Sequence, residues 1–302
     1  MKLTPNEPCW CGSGRKYKKC HKAFDDAPDE LKYQAAQKAY ASTWQATSEL
    51  QYARGDYAWM AEQLSPYGIT RLFDVGCGSG HGLLAMSESF PNLSRTVSVD
   101  ENLDCLRIAR DTLVQGGSSP VLLTRLETVL TPRGFVQNAK EISDPLPAGT
   151  VLIEADPLTD PHLEQALSAD GPFDAVTIWL TGAHMLRSVN AISRSREVRD
   201  ERDLRIILQN EVYELADRIL RRGGVLQVVD RSEPPTSDYL RDEYFKAHRE
   251  QAEPTRLDVR DVAYRSWTPP EGSTTKLIQS SAGGRTDAEI ALALVSITSV
   301  KT

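Results

Sequence analysis

Short apolar runs alternate with stretches of helical periodicity from about residue 66 to the end of the chain. This alternation is typical of a mostly parallel β-sheet with helices on both faces, so we predict an α/β fold. Seven strands are predicted, at residues 71–75, 95–100, 150–155, 173–180, 225–230, 257–267 and 289–299. Helices are predicted between them, notably at residues 81–90, 102–115, 160–168 and 200–222.

The segment before the sheet is predicted to be helical from residue 29 to residue 64, with a break near Gly55. Tyr33, Tyr40 and Trp44 follow one another at spacings of seven and four, which puts them on one helical face. Two arrangements are open for this aromatic face: helices laid against the edge of the sheet, or a lid over a cofactor or acceptor pocket. We divide the chain into a tail at residues 1–24, a helical lead-in at 25–65 and a sheet domain at 66–302.

Composition and charge narrow the classes of function. Hydrophobic residues make up 40% of the 302 residues, which is ordinary for a soluble globular protein. The formal net charge of −7 argues against broad binding of nucleic acid by the whole chain. The apolar run at residues 290–297 is too short to span a membrane, which takes about 20 residues. Because the N-terminal segment lacks the apolar core of a secretory signal, we expect a cytoplasmic location.

The first 22 residues form a separate basic segment, with six Lys or Arg against one Glu. Within this segment Cys9, Cys11, Cys20 and His21 have the spacing C-x-C-x8-C-H. Three thiolates and one imidazole complete a closed tetrahedral site of the structural zinc type. A segment this short cannot build its own hydrophobic core, so metal binding would supply most of its folding free energy. The alternative is a disordered basic tail with loose cysteines.

Residues 6–22 closely resemble the SEC-C motif, a zinc-binding segment known from the SecA translocation ATPase and from many unrelated bacterial proteins. The resemblance covers the Pro-Cys-x-Cys-Gly-Ser-Gly start and the Lys-Tyr-Lys-Lys-Cys-His end of the segment. In the SecA case the motif is a docking surface for a chaperone or the ribosome. The resemblance therefore implies a zinc module for interaction, with a protein or ribosomal partner.

A glycine-rich turn, DVGCGSG at residues 74–80, follows the first predicted strand. Its glycines lack a Cβ, so a ligand can approach the backbone closely. The spacing G-x-G-x-G differs from the dinucleotide pattern G-x-G-x-x-G, and no Lys follows to form a phosphate-binding loop. Asp100 ends the second predicted strand, 20 residues after Gly80. A carboxylate at that place is suited to accept hydrogen bonds from both hydroxyls of a ribose.

From residue 66 onwards the chain resembles the class I S-adenosylmethionine-dependent methyltransferases. This resemblance implies a Rossmann-like fold, S-adenosylmethionine as cofactor and a small-molecule or protein methyl acceptor. The glycine-rich turn resembles the family's first motif, at the methionine part of the cofactor, and residues 99–101 resemble the second, at the ribose. Residues 154–158 resemble the third, where an acid hydrogen-bonds the adenine amino group. The cofactor-binding residues that it implies are Asp74, Gly76, Cys77, Gly78, Gly80, Asp100, Glu101, Asp156 and Pro157.

Two features depart from the family pattern. About 56 residues separate Asp100 from Asp156, so residues 120–148 look like an insertion near the adenine end. The signature of exocyclic amino methylation of DNA bases is missing after the fourth strand, which argues against a DNA base as acceptor. His184 follows that strand at the carboxyl edge of the sheet, where ligands bind, and is the candidate general base. The alternative is that His184 caps or packs locally.

Two functional hypotheses from different classes follow. The first is an active methyltransferase of unknown acceptor whose zinc tail recruits it to a protein or ribosomal partner. The second is a non-catalytic adaptor that binds the cofactor and interacts through the tail. The intact glycine-rich turn and the presence of Asp100 favour the first.

Overall fold

The computed structural model describes residues 4–8, 15–20, 22–131, 134–142, 144–182, 201–269 and 291–302. Its helices are α1 (Lys22–Asp25), α2 (Asp29–Ala53), α3 (Asp56–Glu62), α4 (His81–Ser89), α5 (Leu103–Gln115), α6 (Leu163–Ala169), α7 (Glu201–Ile219) and α8 (Asp238–Ala252), besides a 3-10 helix at Tyr17–Lys19. The strands are β1 (Arg71–Val75), β2 (Arg95–Asp100), β3 (Val121–Leu123), β4 (Leu126–Thr131), β5 (Gly134–Ala139), β6 (Thr150–Glu154), β7 (Phe173–Trp179), β8 (Leu220–Ser232), β9 (Leu257–Trp267) and β10 (Leu292–Lys301). The predicted helical lead-in is present, and its break lies at Gly55, whose φ is 73°.

Eight strands form one sheet in the order β3-β6-β2-β1-β7-β8-β10-β9. All neighbours from β3 to β8 are parallel, whereas β10 runs antiparallel to both β8 and β9. The prediction of a mostly parallel sheet with a Rossmann-like fold is confirmed, and the predicted count of seven strands is corrected to eight. The additional strand is β3, whose three residues pair with residues 151–153 of β6 at the sheet edge.

Residues 120–148, predicted as an insertion, contain β3 and a separate two-stranded hairpin made of β4 and β5. The chain turns from β3 into the hairpin beside β6, where the amides of Arg125 and Leu126 donate to Oε2 of Glu154 at 2.7 and 3.1 Å. On β5, the ring of Phe135 packs edge-on against Tyr33 of α2, with centroids 4.5 Å apart. The hairpin therefore joins the carboxyl end of β6 to the N-terminal half of α2.

The sheet buries a separate hydrophobic cluster on each face. Side chains alternate along β8, so Leu226 and Val228 pack with α6, α7 and α8, while Val225 and Val229 pack with α2 to α5. Met60 of α3 and Leu64 are completely buried in the second cluster. The lead-in helices therefore share a hydrophobic core with the sheet.

Local sequence explains the elements around the centre of the sheet. All seven residues of β7 are buried, as expected for a strand between two parallel neighbours that is covered on both faces. Helix α5 begins after Asn102, whose side chain accepts from the amide of Asp104 at 3.1 Å and caps the helix. The strand order reverses at β1, which lies between β2 and β7, and ligands bind outside the carboxyl ends of strands at such a point. No helix in the described part of the chain is long and apolar enough to cross a membrane.

Candidate functional site

The glycine-rich turn connects β1 to α4 with three glycines in the left-handed region, where φ is 83° at Gly76, 51° at Gly78 and 83° at Gly80. A side chain at these positions would be strained. At Gly80 it would also collide with α5, because an added Cβ would lie 2.9 Å from Cα of Ala109. The amide of Gly76 donates to the carbonyl of Val99 at 2.8 Å. The turn is therefore held against β2 and α5 as one compact unit.

A pocket opens between this turn, the carboxyl ends of β1, β2, β6 and β7, and helix α2. It brings together six of the residues predicted to bind the cofactor, namely Gly76, Gly78, Asp100, Glu101, Asp156 and Pro157. The other lining residues were not assigned from the sequence, and they include Tyr40, Trp44, Leu180, Thr181, Gly182, Leu204 and Leu208. Of these, Tyr40 and Trp44 carry a signal in the sequence, because they belong to the aromatic face of the lead-in.

Asp100 is held at the mouth of the turn by two backbone amides. Its Oδ2 accepts from Gly78 at 3.0 Å and its Oδ1 accepts from Asn102 at 2.9 Å. Burial nevertheless raises the pKa of Asp100 to about 7, although both hydrogen bonds act in the opposite direction. The carboxylate remains a capable acceptor for ligand hydroxyls, since each of its oxygens has more than one lone pair.

Glu101 is tied to α2. The hydroxyl of Tyr33 donates to Oε2 of Glu101 at 2.7 Å, and the side-chain amide of Gln37 donates to its carbonyl oxygen at 3.3 Å. At the other end of the pocket, Asp156 follows β6, and its Oδ1 accepts from the amide of Leu158 at 3.1 Å. Glu101 and Asp156 therefore follow the carboxyl ends of two neighbouring parallel strands, β2 and β6.

Asp74, Cys77 and Gly80 do not line the pocket. Asp74 accepts from the hydroxyls of Ser98 and Thr177, both at 2.7 Å, and thereby links β1 to β2 and β7. Burial raises its pKa to about 6 and raises the pKa of the Cys77 thiol well above its usual range. These three residues support the turn from behind, and direct contact with a cofactor stays a prediction for them.

Helix α2 lies over the pocket. An added Cβ at Gly78 would be 2.3 Å from Nε1 of Trp44, and one at Gly182 would be 2.6 Å from the hydroxyl of Tyr40. The side chains of Trp44 and Tyr40 on α2 can therefore approach the backbone at Gly78 and Gly182 only because glycine has no Cβ. The aromatic face combines the two arrangements that the sequence left open, because Tyr40 and Trp44 line the pocket and Trp44 also belongs to the hydrophobic cluster on one face of the sheet.

Four predicted site residues lie outside the described residues: Cys9, Cys11, His21 and His184. Cys20 is described; it is half-buried and its amide donates to the carbonyl of Tyr17 at 3.0 Å. Pro8 and Lys16 form an antiparallel bridge, which brings the two flanks of the Cys9 to Gly14 segment side by side. No group of three His, Cys, Asp or Glu that could hold a metal ion occurs among the residues that the structure describes. The zinc ligand set and the general base stay predictions.

Comparison with known proteins matches two regions of the chain. Residues 6–23 match the model of the SEC-C motif. Among curated proteins no significant match was found. Solved structures of similar fold include a precorrin-6y C5,15-methyltransferase from Geobacter metallireducens, with 17% identity over 81% of this chain and 88% of that one and a TM-score of 0.42.

The N-methyltransferase NodS from Bradyrhizobium japonicum is similar at 9% identity over 82% of this chain and 96% of its own, with a TM-score of 0.41. A geranyl diphosphate methyltransferase solved in complex with SAM is similar at 12% identity over 82% and 85%, with a TM-score of 0.42. These similarities concern the fold, so the chemistry of the site rests on the residues of this chain. The chain thus carries a SEC-C motif at residues 6–23, followed by a sheet domain with a mostly parallel, Rossmann-like fold.

Proposed function

We propose that the protein is an S-adenosylmethionine-dependent methyltransferase. The observation that carries this proposal is the pocket at the reversal of strand order, which unites the glycine-rich turn with Asp100 and Asp156. The pocket fits the cofactor in two respects. Asp100 and Asp156 line it with carboxyl groups that can accept from hydroxyl and amino groups, and the buried hydroxyl of Thr181 has no hydrogen-bond partner in the described part of the chain. Such a group is suited to a ligand that can hydrogen-bond to it.

The residues of the pocket would bind and orient the cofactor along the carboxyl edge. Asp100 would accept from the ribose hydroxyls, Asp156 would accept from the adenine amino group, and the turn from Gly76 to Gly80 would lie along the methionine part. When bound, the cofactor supplies a methyl group on a sulfonium that is already electrophilic. Catalysis then consists mainly of positioning the acceptor in line with that methyl group and excluding water.

Helix α2 would exclude water from the site, because its Tyr40 and Trp44 cover the backbone at Gly182 and Gly78. A general base is needed only if the acceptor must lose a proton. His184 is proposed for that role because it follows the last residue of β7 by five positions in the sequence. An acceptor that is already nucleophilic would react without it.

The N-terminal motif is proposed to bind one zinc ion through Cys9, Cys11, Cys20 and His21. Three thiolates and an imidazole are a donor set suited to structural zinc. The six Lys or Arg around these ligands give the module a basic surface for a protein or ribosomal partner in the cytoplasm. The alternative function, a non-catalytic adaptor, shares the cofactor pocket and the zinc module and lacks only methyl transfer.

Calorimetry on the full chain tests the cofactor. We expect S-adenosylmethionine and S-adenosylhomocysteine to bind and NAD not to bind. Asp100→Ala should weaken binding by roughly tenfold or more, because charge-assisted hydrogen bonds to the ribose are each worth about 1.5–3 kcal/mol. Asp104→Ala is the matched control, since Asp104 lies four residues away on α5 and pairs with Arg107 outside the pocket. Binding of NAD instead, or equal affinity in both variants, would reject the cofactor assignment.

Methyl transfer is tested separately from binding. Full-length protein is incubated with methyl-labelled cofactor and fractions of a cell extract, and both S-adenosylhomocysteine and labelled product are quantified by mass spectrometry. An active enzyme releases both in equal amounts from at least one fraction. Tight cofactor binding with no S-adenosylhomocysteine from any fraction would support the adaptor instead.

A further inference from the structure

A half-buried arginine, two of whose side-chain nitrogens lack hydrogen-bond acceptors, lies at the carboxyl edge of the sheet. Arg231 is the penultimate residue of β8, and its Nε and Nη1 atoms are buried and have no partner among the described residues. Buried donors are usually paired, because an unpaired donor has lost its hydrogen bonds to water without replacement. The penalty is larger for a charged group. A guanidinium left in this state is suited to a ligand that brings its own acceptors.

Two indole rings hold this guanidinium in place. Its central carbon lies 5.5 Å from the ring centroid of Trp44 on α2 and 5.5 Å from that of Trp267 at the end of β9. Cation–π contacts of this kind stabilise the charge without using its N–H groups. The N–H groups point outward in the plane of the guanidinium, where a carboxylate can bind two of them side by side.

The neighbouring carboxylate, that of Asp230, is already paired with another cation. Asp230 accepts twice from Nη1 of Arg205, at 2.9 and 2.8 Å. Burial lowers the pKa of Arg231, which is the direction expected for a cation that has lost water. The positive charge of Arg231 is therefore not matched by a carboxylate of its own in the described part of the chain.

The position of Arg231 assigns it to the acceptor side of the pocket. Val229 pairs with Trp179, so the same register puts Arg231 level with Thr181, just beyond the end of β7. Strand β8 is two strands away from β1, whose turn faces the cofactor. Trp44 connects the two places, because one ring face covers Arg231 while its Nε1 edge touches Gly78.

We propose that Arg231 binds a carboxylate of the methyl acceptor in the slot between Trp44 and Trp267. The inference rests on the proposed function, since it names the chemical class of the acceptor for that same pocket. The carboxylate accepts from the edge of the guanidinium, and the rest of the acceptor extends past Thr181 toward the glycine-rich turn. Arg231 thereby fixes both the class of the acceptor and its orientation.

A probe titration tests the slot directly. The full chain, with and without saturating S-adenosylhomocysteine, is titrated with benzoate and with its neutral isostere benzamide, and binding is followed by ligand-observed NMR. We expect Arg231→Gln to weaken benzoate binding at least tenfold and to leave benzamide binding unchanged. Arg231→Lys, which keeps the charge but loses the planar fork, should show a smaller loss. Arg260→Gln is the matched control, because it removes the same charge from an exposed site on β9.

Thermal melts by circular dichroism establish that each variant is folded. If Arg231→Gln does not fold, the comparison is made with Arg231→Lys instead. No benzoate binding by the wild type, or equal benzoate affinity in wild type and the folded Arg231 variant, would overturn the proposal.

A second arm of the experiment compares the binding of S-adenosylmethionine with that of its decarboxylated analogue. A loss in the variant that is confined to the compound with a carboxylate would assign Arg231 to the cofactor and also overturn the proposal. Failure of the wild type to bind any adenosyl compound would reject the proposed function instead, while benzoate binding to the unliganded chain would still test Arg231.

Discussion

Asp100 makes cofactor binding depend on pH. Its pKa of about 7 in the unliganded pocket means that the carboxyl is mostly protonated below pH 7. Ribose hydroxyls donate best to the ionised form, so binding must expel that proton at low pH. We expect affinity for S-adenosylmethionine to fall by up to tenfold per pH unit below about pH 7 and to level off above it. Calorimetry from pH 5.5 to 8.5 measures this slope, and proton release is checked in buffers of different ionisation enthalpy.

Asp100→Asn is the control for that slope, because an amide does not titrate in this range. The variant should bind more weakly at pH 8 and should lose the pH dependence. Asp74, with a pKa of about 6, is the other raised carboxyl beside the turn. A slope that persists unchanged in Asp100→Asn would assign the pH dependence to Asp74 or to the cofactor itself, and would contradict the role given to Asp100.

Alanine substitutions at Gly80 and Gly117 allow the cost of backbone strain to be distinguished from the cost of a steric collision. Both have positive φ, 83° and 87°, but an added Cβ at Gly80 meets the backbone of Ala109 while one at Gly117 meets nothing within 4 Å. Gly117→Ala should therefore cost only the strain of the left-handed region, about 1–3 kcal/mol. Gly80→Ala should cost roughly 1–3 kcal/mol more in the free energy of unfolding, because α4 and α5 must separate. Urea denaturation of both variants checks this, and equal losses would refute the close packing of the turn on α5.

Tyr33 connects three secondary-structure elements: helix α2, the end of strand β2 and the β4–β5 hairpin. It lies on α2, donates to Glu101 after β2 at 2.7 Å, and packs against Phe135 of the hairpin. Tyr33→Phe keeps the ring contact and removes a hydroxyl that donates to a carboxylate, so we expect a loss of about 1.5–3 kcal/mol in the free energy of unfolding. We also expect faster amide hydrogen exchange in the first half of α2, where the lid is tied down. Tyr239→Phe, at a highly exposed tyrosine on α8, is the control. Exchange rates that are equal in both variants would show that the hydroxyl of Tyr33 does not hold α2.

The elements differ in how far the sequence predicts them, and the reasons are physical. Strand β7 is predictable because burial on both faces demands an unbroken apolar run. Strand β3 escapes prediction because it has three residues at the sheet edge, too few for a periodic signal. The glycine-rich turn and Asp100 are recognisable from short stretches of sequence, so this part of the pocket lining is predictable. Arg231 is missed because its partners, Trp44 and Trp267, come from residues more than thirty positions away in sequence and only the fold brings them together.

At the scale of the whole molecule, we expect the N-terminal SEC-C motif to need a bound zinc ion in order to fold. We expect one equivalent of zinc per chain, held by thiolates, and Cys9→Ser with Cys11→Ser should abolish it because the remaining two donors cannot complete a tetrahedral site. Cys77→Ser is the control, since Cys77 belongs to the pocket turn and is a free thiol in the described structure. Metal analysis of purified protein measures the content. Less than about half an equivalent in the wild type, or the same content in the double variant, would contradict the zinc site.

Two truncations should separate the tail from the lead-in. Removal of residues 1–22 deletes the basic segment, including Lys22 at the start of α1, and none of the buried hydrophobic residues of the two clusters, so the melting temperature of the rest should hardly change. Removal of residues 1–64 deletes Trp44, Tyr57, Met60 and Leu64, which are buried against the sheet. Loss of several buried side chains, each worth about 2–5 kcal/mol, exceeds the stability of a typical domain. The shorter chain should therefore fail to melt cooperatively, as seen by calorimetry and circular dichroism. A cooperative transition after removal of residues 1–64 would mean that the sheet domain folds without α2 and α3, and α2 would then be a dispensable cover of the pocket.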